Sequence, residues 1–507
     1  MDYDVVIIGS GVGGLVSALK LSATGKRVLV LEKQSIPGGI ATSFKRKGFS
    51  FEAALHIIDA LGQDGEIRKF LDEYGVSQKI EYVDFKEFGR VIYPEHDFIV
   101  KNDFESLRNW LNYNFPQEKI GIDVFFKEIN KFYKEFDYFV GSNMPLWLKL
   151  FISPIIYPNI IRTSCMNLEQ FITKKIKDKK LRSIIGTIWG FIGLPPSEIS
   201  AFYFLIILRG YWGEKTSFVK GGFSKLFNAM ADKIKEYGSE VRFNTIITQI
   251  ITEDGKCIKA VRTNKGEEFG TKTIISNVNA IDTLTKFIDC DALKQEYLKK
   301  LSSMQKSLSA VIVYLGLNVP AKALGINYPL ISLNLDYGHD KAYQNAVSSN
   351  YKDCNLAIID HSQLDHSLAP SGKSTICIMS LANYADWDNL TEEEYQKKKK
   401  ELGDIIVANL EKYFSGLSKH IEVIEVGTPK TIERYAALPR GAIYGFDETV
   451  GQSSINRLPQ KTKIKGLFLV GAWTTPGPGV HGCFVSGVDA AELASNFLNE
   501  DTTYGIK

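Results

Sequence analysis

Val5-Val6-Ile7-Ile8-Gly9-Ser10-Gly11-Val12-Gly13-Gly14, then Leu15 to Ala23, then Arg27-Val28-Leu29-Val30-Leu31-Glu32, is the stretch that decides the fold of this 507-residue chain. The run Val5 to Ile8 is continuously apolar, as a parallel strand covered on both faces requires. Gly9, Gly11 and Gly14 match GxGxxG. The first glycine permits the tight turn, the second lets a pyrophosphate approach the backbone, and the third lets helix and strand pack closely. Leu15 to Ala23 reads as a helix whose N-terminal N–H groups and dipole face the phosphates, with Val12 and Gly13 of the glycine turn expected at the cofactor as well. Glu32, followed by Lys33, ends the second strand 18 residues past the last glycine, Gly14, where a carboxylate hydrogen-bonds both ribose hydroxyls and disfavours a 2′-phosphate. A lone GxGxxG says little. Strand, glycines, helix, strand and terminal acid in register predict a Rossmann-type dinucleotide-binding unit.

Shortly after Glu32 comes Pro37-Gly38-Gly39-Ile40-Ala41-Thr42, a second glycine pair for which an NAD-binding unit has no use. From here the sequence resembles FAD-dependent amine-oxidase-like enzymes, and within them phytoene desaturases, carotenoid isomerases and retinol saturases. The resemblance implies FAD as cofactor, with Gly38, Gly39, Ile40, Ala41 and Thr42 against the flavin's diphosphate and ribityl chain. Ile40 stands where many relatives carry Arg, which leaves backbone contacts as the anchor. Gly466 to Trp473 and Pro476 to Gly482, leading into a helix over 484–498, resemble the segment that closes over the flavin. That likeness implies roles for Gly471, Ala472, Gly479, Val480 and His481, with a helix N-terminus favouring negative charge on the reduced ring. Lys220 to Phe223, with the helix and strand after it, resembles the return into the nucleotide domain and implies that Ile247 gives its backbone to the adenine. Gly193-Leu194-Pro195-Pro196-Ser197 and Leu55-His56 are similar to the saturase and isomerase branch, whereas Pro476-Gly477-Pro478-Gly479 is closer to the desaturases.

A chain of this length exceeds one ordinary core. The expected fold class is α/β: a Rossmann-type FAD-binding domain from residues 1–80, 215–285 and 431–507, an apolar helical insertion at 81–214 facing substrate and membrane, and a discontinuous α+β substrate domain at 286–430. Strand-like runs at Ala310 to Leu317, Leu356 to Ile359, Ser374 to Ser380 and Ile421 to Val426 predict a sheet that floors a substrate cavity. In the insertion, Leu146 to Pro158 carries Trp147, Phe151 and Tyr157 beside Lys149 and Arg162, broken by prolines, the pattern of a surface dipping into a lipid interface. Lys174, Lys175, Lys177, Lys179, Lys180 and Arg182 lie near enough to meet anionic head groups, or to be a solvated face. Ala201 to Leu208 reads equally as core.

Net charge is only +3, which gives no footprint for nucleic acid. Six cysteines without CxxC or metal-type spacing read as free thiols in a reducing compartment, and no metal site is expected. No leader and no run of roughly 20 apolar residues is visible, so the expectation is a cytoplasmic protein lying peripherally on a membrane.

The resemblance implies hydride transfer at a carbon–carbon bond of a long apolar substrate: desaturation, saturation or cis–trans isomerisation. His56, His481 and Tyr444 are the candidate proton partners, with a structural histidine as the alternative for His56 and a backbone role for His481. With a single nucleotide fingerprint, electrons pass to or from an external acceptor or donor. The competing class is a flavin amine oxidase with a compact polar pocket, or a protein that only binds flavin.

Overall fold

The computed structural model describes residues 2–142 and 144–504; the side chains of Leu146, Trp147, Leu150 and 501–504 lie outside that description. Five short strands form a parallel sheet in the order Leu467–Leu469, Ile274–Ser276, Val5–Ile8, Val28–Leu31, Glu240–Arg242. Every residue of Val5–Ile8 and Val28–Leu31 is buried, which explains why these runs lack polar alternation. The sheet therefore draws on the beginning, middle and end of the chain. Because the strands run parallel, their carboxyl ends share one edge, and Gly9, Glu32, Asn277 and Gly471 follow four of those ends.

The first helix is Val12–Ala23, beginning at Val12 and not at Leu15, because Gly11 is extended (φ −67°, ψ 176°) and serves as its N-cap. The last helix, Gly479–Tyr504, also begins earlier than the 484 expected. These two helices pack closely: the Ser17 hydroxyl donates to Gly487 O at 2.8 Å, and a Cβ at Gly487 would lie 2.7 Å from Val16 Cβ.

The second large sheet has seven strands, in the order Ile421–Gly427, Ser309–Leu317, Ser374–Ala382, Leu356–Ile359, Leu330–Leu333, Gly89–Ile92, Asp97–Val100. All four strand-like runs foreseen at 286–430 lie in it. Residues 81–214 differ from the helical insertion expected, since they open with Tyr82–Asp84, Gly89–Ile92 and Asp97–Val100. The last two complete one edge of the seven-stranded sheet, and Gly89–Ile92 pairs in parallel with Leu330–Leu333. Strands this short declare themselves only through such remote partners. Helices follow from Phe104–Asn114 to the π-helical turn Arg209–Gly213.

Within these helices the sequence expectations divide. Ala201–Leu208 is core, with Tyr203, Phe204 and Leu205 buried. On Leu146–Ile156, Phe151 and Ile155 are 80% and 84% exposed. Tyr157, expected at a lipid interface, is instead fully buried, its ring edge-on to Phe139 at 5.2 Å. The Trp147 side chain lies outside the described residues. Lys175 is not available to head groups either: its ammonium is buried on Glu128 at 2.9 Å. Lys180 is paired with Glu95. No helix among the described residues is long and apolar enough to cross a membrane.

Candidate active site

A cavity of about 550 Å³ opens along the carboxyl edge of the five-stranded sheet and continues beneath the seven-stranded one. Its nucleotide end is built by two glycine turns laid against each other. Gly38 N donates to Ser10 O at 2.9 Å, Gly11 bridges Gly38, and Gly39 (φ +63°) comes so close that a Cβ there would lie 3.3 Å from Gly11 Cα. Only backbone can line a slot this narrow. Glu32 is buried beside it, and its carboxylate is oriented before any ligand arrives. One oxygen accepts from Ser10 N and Ser10 Oγ, both at 2.7 Å, and the other from Gln34 N at 2.7 Å. Lys33 lines the same end and donates to Arg434 O at 3.0 Å. At the far wall Gly471, Ala472, Gly479 and Val480 close the cavity, so the N-terminus of the last helix faces it.

The flavin-containing amine oxidoreductase family model matches residues 12–494. The chain belongs to this family. Its cofactor is FAD, and the paired glycine turns, the Glu32 carboxylate and the Gly471–Val480 wall fit that group's diphosphate, ribose and isoalloxazine. The prolycopene isomerase of Daucus carota is 28% identical over 500 residues, covering 97% of this chain and 79% of that one. The all-trans-retinol 13,14-reductase of Danio rerio is 26% identical over 512 residues, covering 93% and 82%. The crystal structure of an oxidoreductase from Methanosarcina mazei shares the fold, with a TM-score of 0.65 at 18% identity and coverage of 96% and 100%.

Among the residues of this flavoprotein expected at the cofactor, Gly14, Thr42 and His481 stand off the cavity wall; Gly9, Gly11, Val12, Gly13, Ile40, Ala41 and Ile247 line it with those already named. Gly14 is a packing residue: a Cβ there would lie 2.2 Å from Gly9 O. Thr42 already belongs to the turn away from the site, its carbonyl accepting from Ala53 N at 2.7 Å.

His481 turns from the cavity into two carboxylates, Nδ1 at 2.9 Å from Asp59 and Nε2 at 3.3 Å from Glu66. Burial opposes its charge, yet the two carboxylates outweigh burial and push its pKa up to about 10. The sequence expectation of a proton donor near neutral pH is corrected accordingly. This imidazolium holds its proton and ties the last helix to 59–66. A ring raised above the ordinary 6.5 contributes stability that is present below about pH 6.5 and is lost as pH rises through about 10. An NMR titration of the His481 ring should place its midpoint near pH 10, and Asp59→Asn should move it down by more than one unit. A wild-type midpoint near 6.5 would contradict the pairing.

His56 does reach the cavity. Its ring is buried, neither nitrogen has a partner among the described residues, and it stacks on His361 at 6.4 Å. Burial, with His361 adding to it, pulls its pKa down to about 3, so the ring is neutral and can accept but not donate as an acid. Tyr444 also lines the cavity, donating to Gly190 O at 3.1 Å, and burial raises its pKa, keeping the phenol protonated. A Cβ at Gly193 (φ +91°) would lie 2.7 Å from the Tyr444 ring, which joins the Gly193–Ser197 segment to the site. Sequence reasoning missed Asn277, whose side chain packs under Gly11 and Gly471, and Tyr211 and Phe191 on the apolar wall. Asn277 had a signal in its place directly after a buried strand; the two aromatics had none.

Proposed function

We propose that the protein is an FAD-dependent oxidoreductase acting on a carbon–carbon bond of a long unsaturated lipid, as a desaturase, saturase or cis–trans isomerase. The observation that carries this reading is the wall beyond the glycine turns: Leu55, Phe191, Ala310, Ile312 and Met379 continue the cavity in apolar side chains. Apolar contact at roughly 25 cal/mol per Å² holds such a chain without ionic anchors. The relatives named for prolycopene and all-trans-retinol support the same reading. FAD supplies hydride acceptance or donation at the bond. The chain's own residues exclude water through Phe191 and Met379 and hold protons at the Tyr444 and Tyr211 hydroxyls, while the unpartnered His56 ring nitrogens are free to accept one. An amine oxidase would favour a compact polar pocket, which this wall does not offer.

Anaerobic stopped-flow spectroscopy tests the reading. Polyenes should be turned over by the oxidised or the reduced enzyme: bleaching of oxidised flavin marks desaturation, reoxidation of reduced flavin marks saturation, and an isomerised polyene with reduced flavin unchanged marks isomerisation. Rapid flavin reduction by small amines, with polyenes inert in both states, would place the enzyme with the amine oxidases.

We also propose a peripheral membrane contact through Val140, Phe151, Ile155 and Ile156, all exposed on two helices that adjoin where Lys149 donates to Phe139 O at 2.6 Å. Phe151→Ser/Ile155→Ser should weaken vesicle co-sedimentation about tenfold or more, with flavin content unchanged. Undiminished sedimentation would remove the contact.

A further inference from the structure

Beyond the main cavity lies a second, smaller one of about 60 Å³ that shares Phe191 and Met379 with it. Both have one floor. Strand register places Ile312, Met379, Ala357 and Ser332 in a single row across four neighbouring strands, and Leu381 follows Met379 two residues on, on the same face. At roughly 4.8 Å per strand this row carries the floor about 14 Å from Ile312 to Ser332. Its chemistry changes along the way. Ile312 and Met379 are apolar, Ala357 is small, and the row ends at Ser332 beside Asn334 and Asn355.

The polar end is incompletely satisfied. The Asn355 amide donates to Asn334 Oδ1 at 3.0 Å, but the Asn334 amide nitrogen has only long contacts, 3.4 Å to Ile92 O and 3.5 Å to Ser332 O. The Ser332 hydroxyl has no partner among the described residues. A free hydroxyl and an under-used amide donor suit a group that both donates and accepts. No acidic or basic side chain lines this chamber, so nothing there balances a charged terminus. Its volume admits a terminal group of a few heavy atoms.

Building on the lipid reading above, we infer that the substrate carries a neutral polar terminus, a hydroxyl or a group of like hydrogen-bonding capacity, which seats against Ser332 and Asn334 while the unsaturated chain lies back over Ala357 and Met379 toward the flavin.

The test is equilibrium binding to the FAD-loaded enzyme, read by polyene fluorescence. The probes are three all-trans polyenes of one chain length, ending in hydroxyl, methyl or carboxylate. The hydroxyl-ended chain should bind about tenfold or more tightly than the methyl-ended one, and the carboxylate-ended chain more weakly than the hydroxyl-ended one. Ser332→Ala should erase the preference for hydroxyl over methyl and leave methyl binding and FAD content intact. Ala357→Leu, filling the floor of the smaller cavity next to Met379, should weaken the hydroxyl-ended chain. Equal binding of hydroxyl- and methyl-ended chains, unchanged in Ser332→Ala, would overturn this inference and leave the lipid reading standing. A preference for carboxylate would overturn the neutral terminus. If none of the three binds, the lipid reading itself fails and the inference with it.

Discussion

Gly11→Val enzyme is expected to purify folded but without yellow colour, keeping less than about a tenth of the parent's FAD after gel filtration. The reason lies in what each glycine faces. A Cβ at Gly14 would lie 2.2 Å from Gly9 O, backbone that cannot yield, so a side chain at Gly14 damages the fold. A Cβ at Gly11 would meet Asn277 Nδ2 at 2.5 Å, the far end of a side chain that can swing aside. Valine at Gly11 therefore leaves the sheet standing and drives its branched side chain against Asn277, crowding the turn whose backbone lines the cavity. Glu32→Ala should act more mildly. It removes hydrogen bonds to the ribose, a loss of about 1.5–3 kcal/mol or roughly 10- to 100-fold in retention, and frees Ser10 to donate elsewhere. Flavin absorbance against protein absorbance, with far-UV circular dichroism as the control for folding, measures both. A Gly11→Val protein as yellow as its parent would mean that the cofactor does not lie along this turn.

The nucleotide end was legible because its signals are local. Val5 to Glu32 carries strand, turn, helix and acid within one short stretch, and each residue type answers to a backbone requirement at its own position. The strand Leu467–Leu469 was legible from its resemblance to the segment that closes over the flavin, an apolar run ending at a glycine turn. The Gly89–Val100 hairpin was not, because its place in the seven-stranded sheet depends on Leu330–Leu333, far along the chain. Aromatic and basic residues at 146–182 suggested a lipid-facing surface, but composition cannot tell which side of a helix looks outward. Phe151 does, and Tyr157 and Lys175 do not. His481 was singled out for its motif, and its neighbours Asp59 and Glu66 reverse the titration expected of it. Electrostatic partners brought together by tertiary folding leave no trace in spacing.

The largest loss of stability should come from Arg457, a residue no motif marks. Its guanidinium is fully buried and paired with Glu448 at 2.5 Å, itself 1% exposed. It also donates to the carbonyls of Thr474 at 3.0 Å, Phe446 at 3.2 Å and Ala472, thereby fixing the segment that closes the cavity. On the other side of that segment the Tyr203 hydroxyl donates to Pro478 O at 2.8 Å, and a Cβ at Gly477 would lie 2.7 Å from the Glu448 carboxylate. Arg457→Met leaves Glu448 buried without its cation and several carbonyls without a donor, which should cost about 3–5 kcal/mol. Thermal unfolding should begin several degrees lower, with flavin released before the protein unfolds. Burial already raises Glu448 to about 7 against the pull of Arg457, and Asp447 beside it to about 7. A carboxyl raised in the folded state binds its proton there first, so the stability linked to it is fullest below its ordinary value and falls as pH rises through about 7. Without Arg457 the Glu448 carboxyl rises further, and the variant's deficit should shrink as pH is lowered from 8 toward 6, where protonation removes the uncompensated charge. Glu448→Gln combined with Arg457→Met should recover part of the loss at pH 8 and flatten that pH dependence. Melting curves of the single and double variants across this range decide the matter: a deficit that does not change with pH would mean that Arg457 acts through its carbonyl contacts alone and that its pairing with Glu448 contributes nothing.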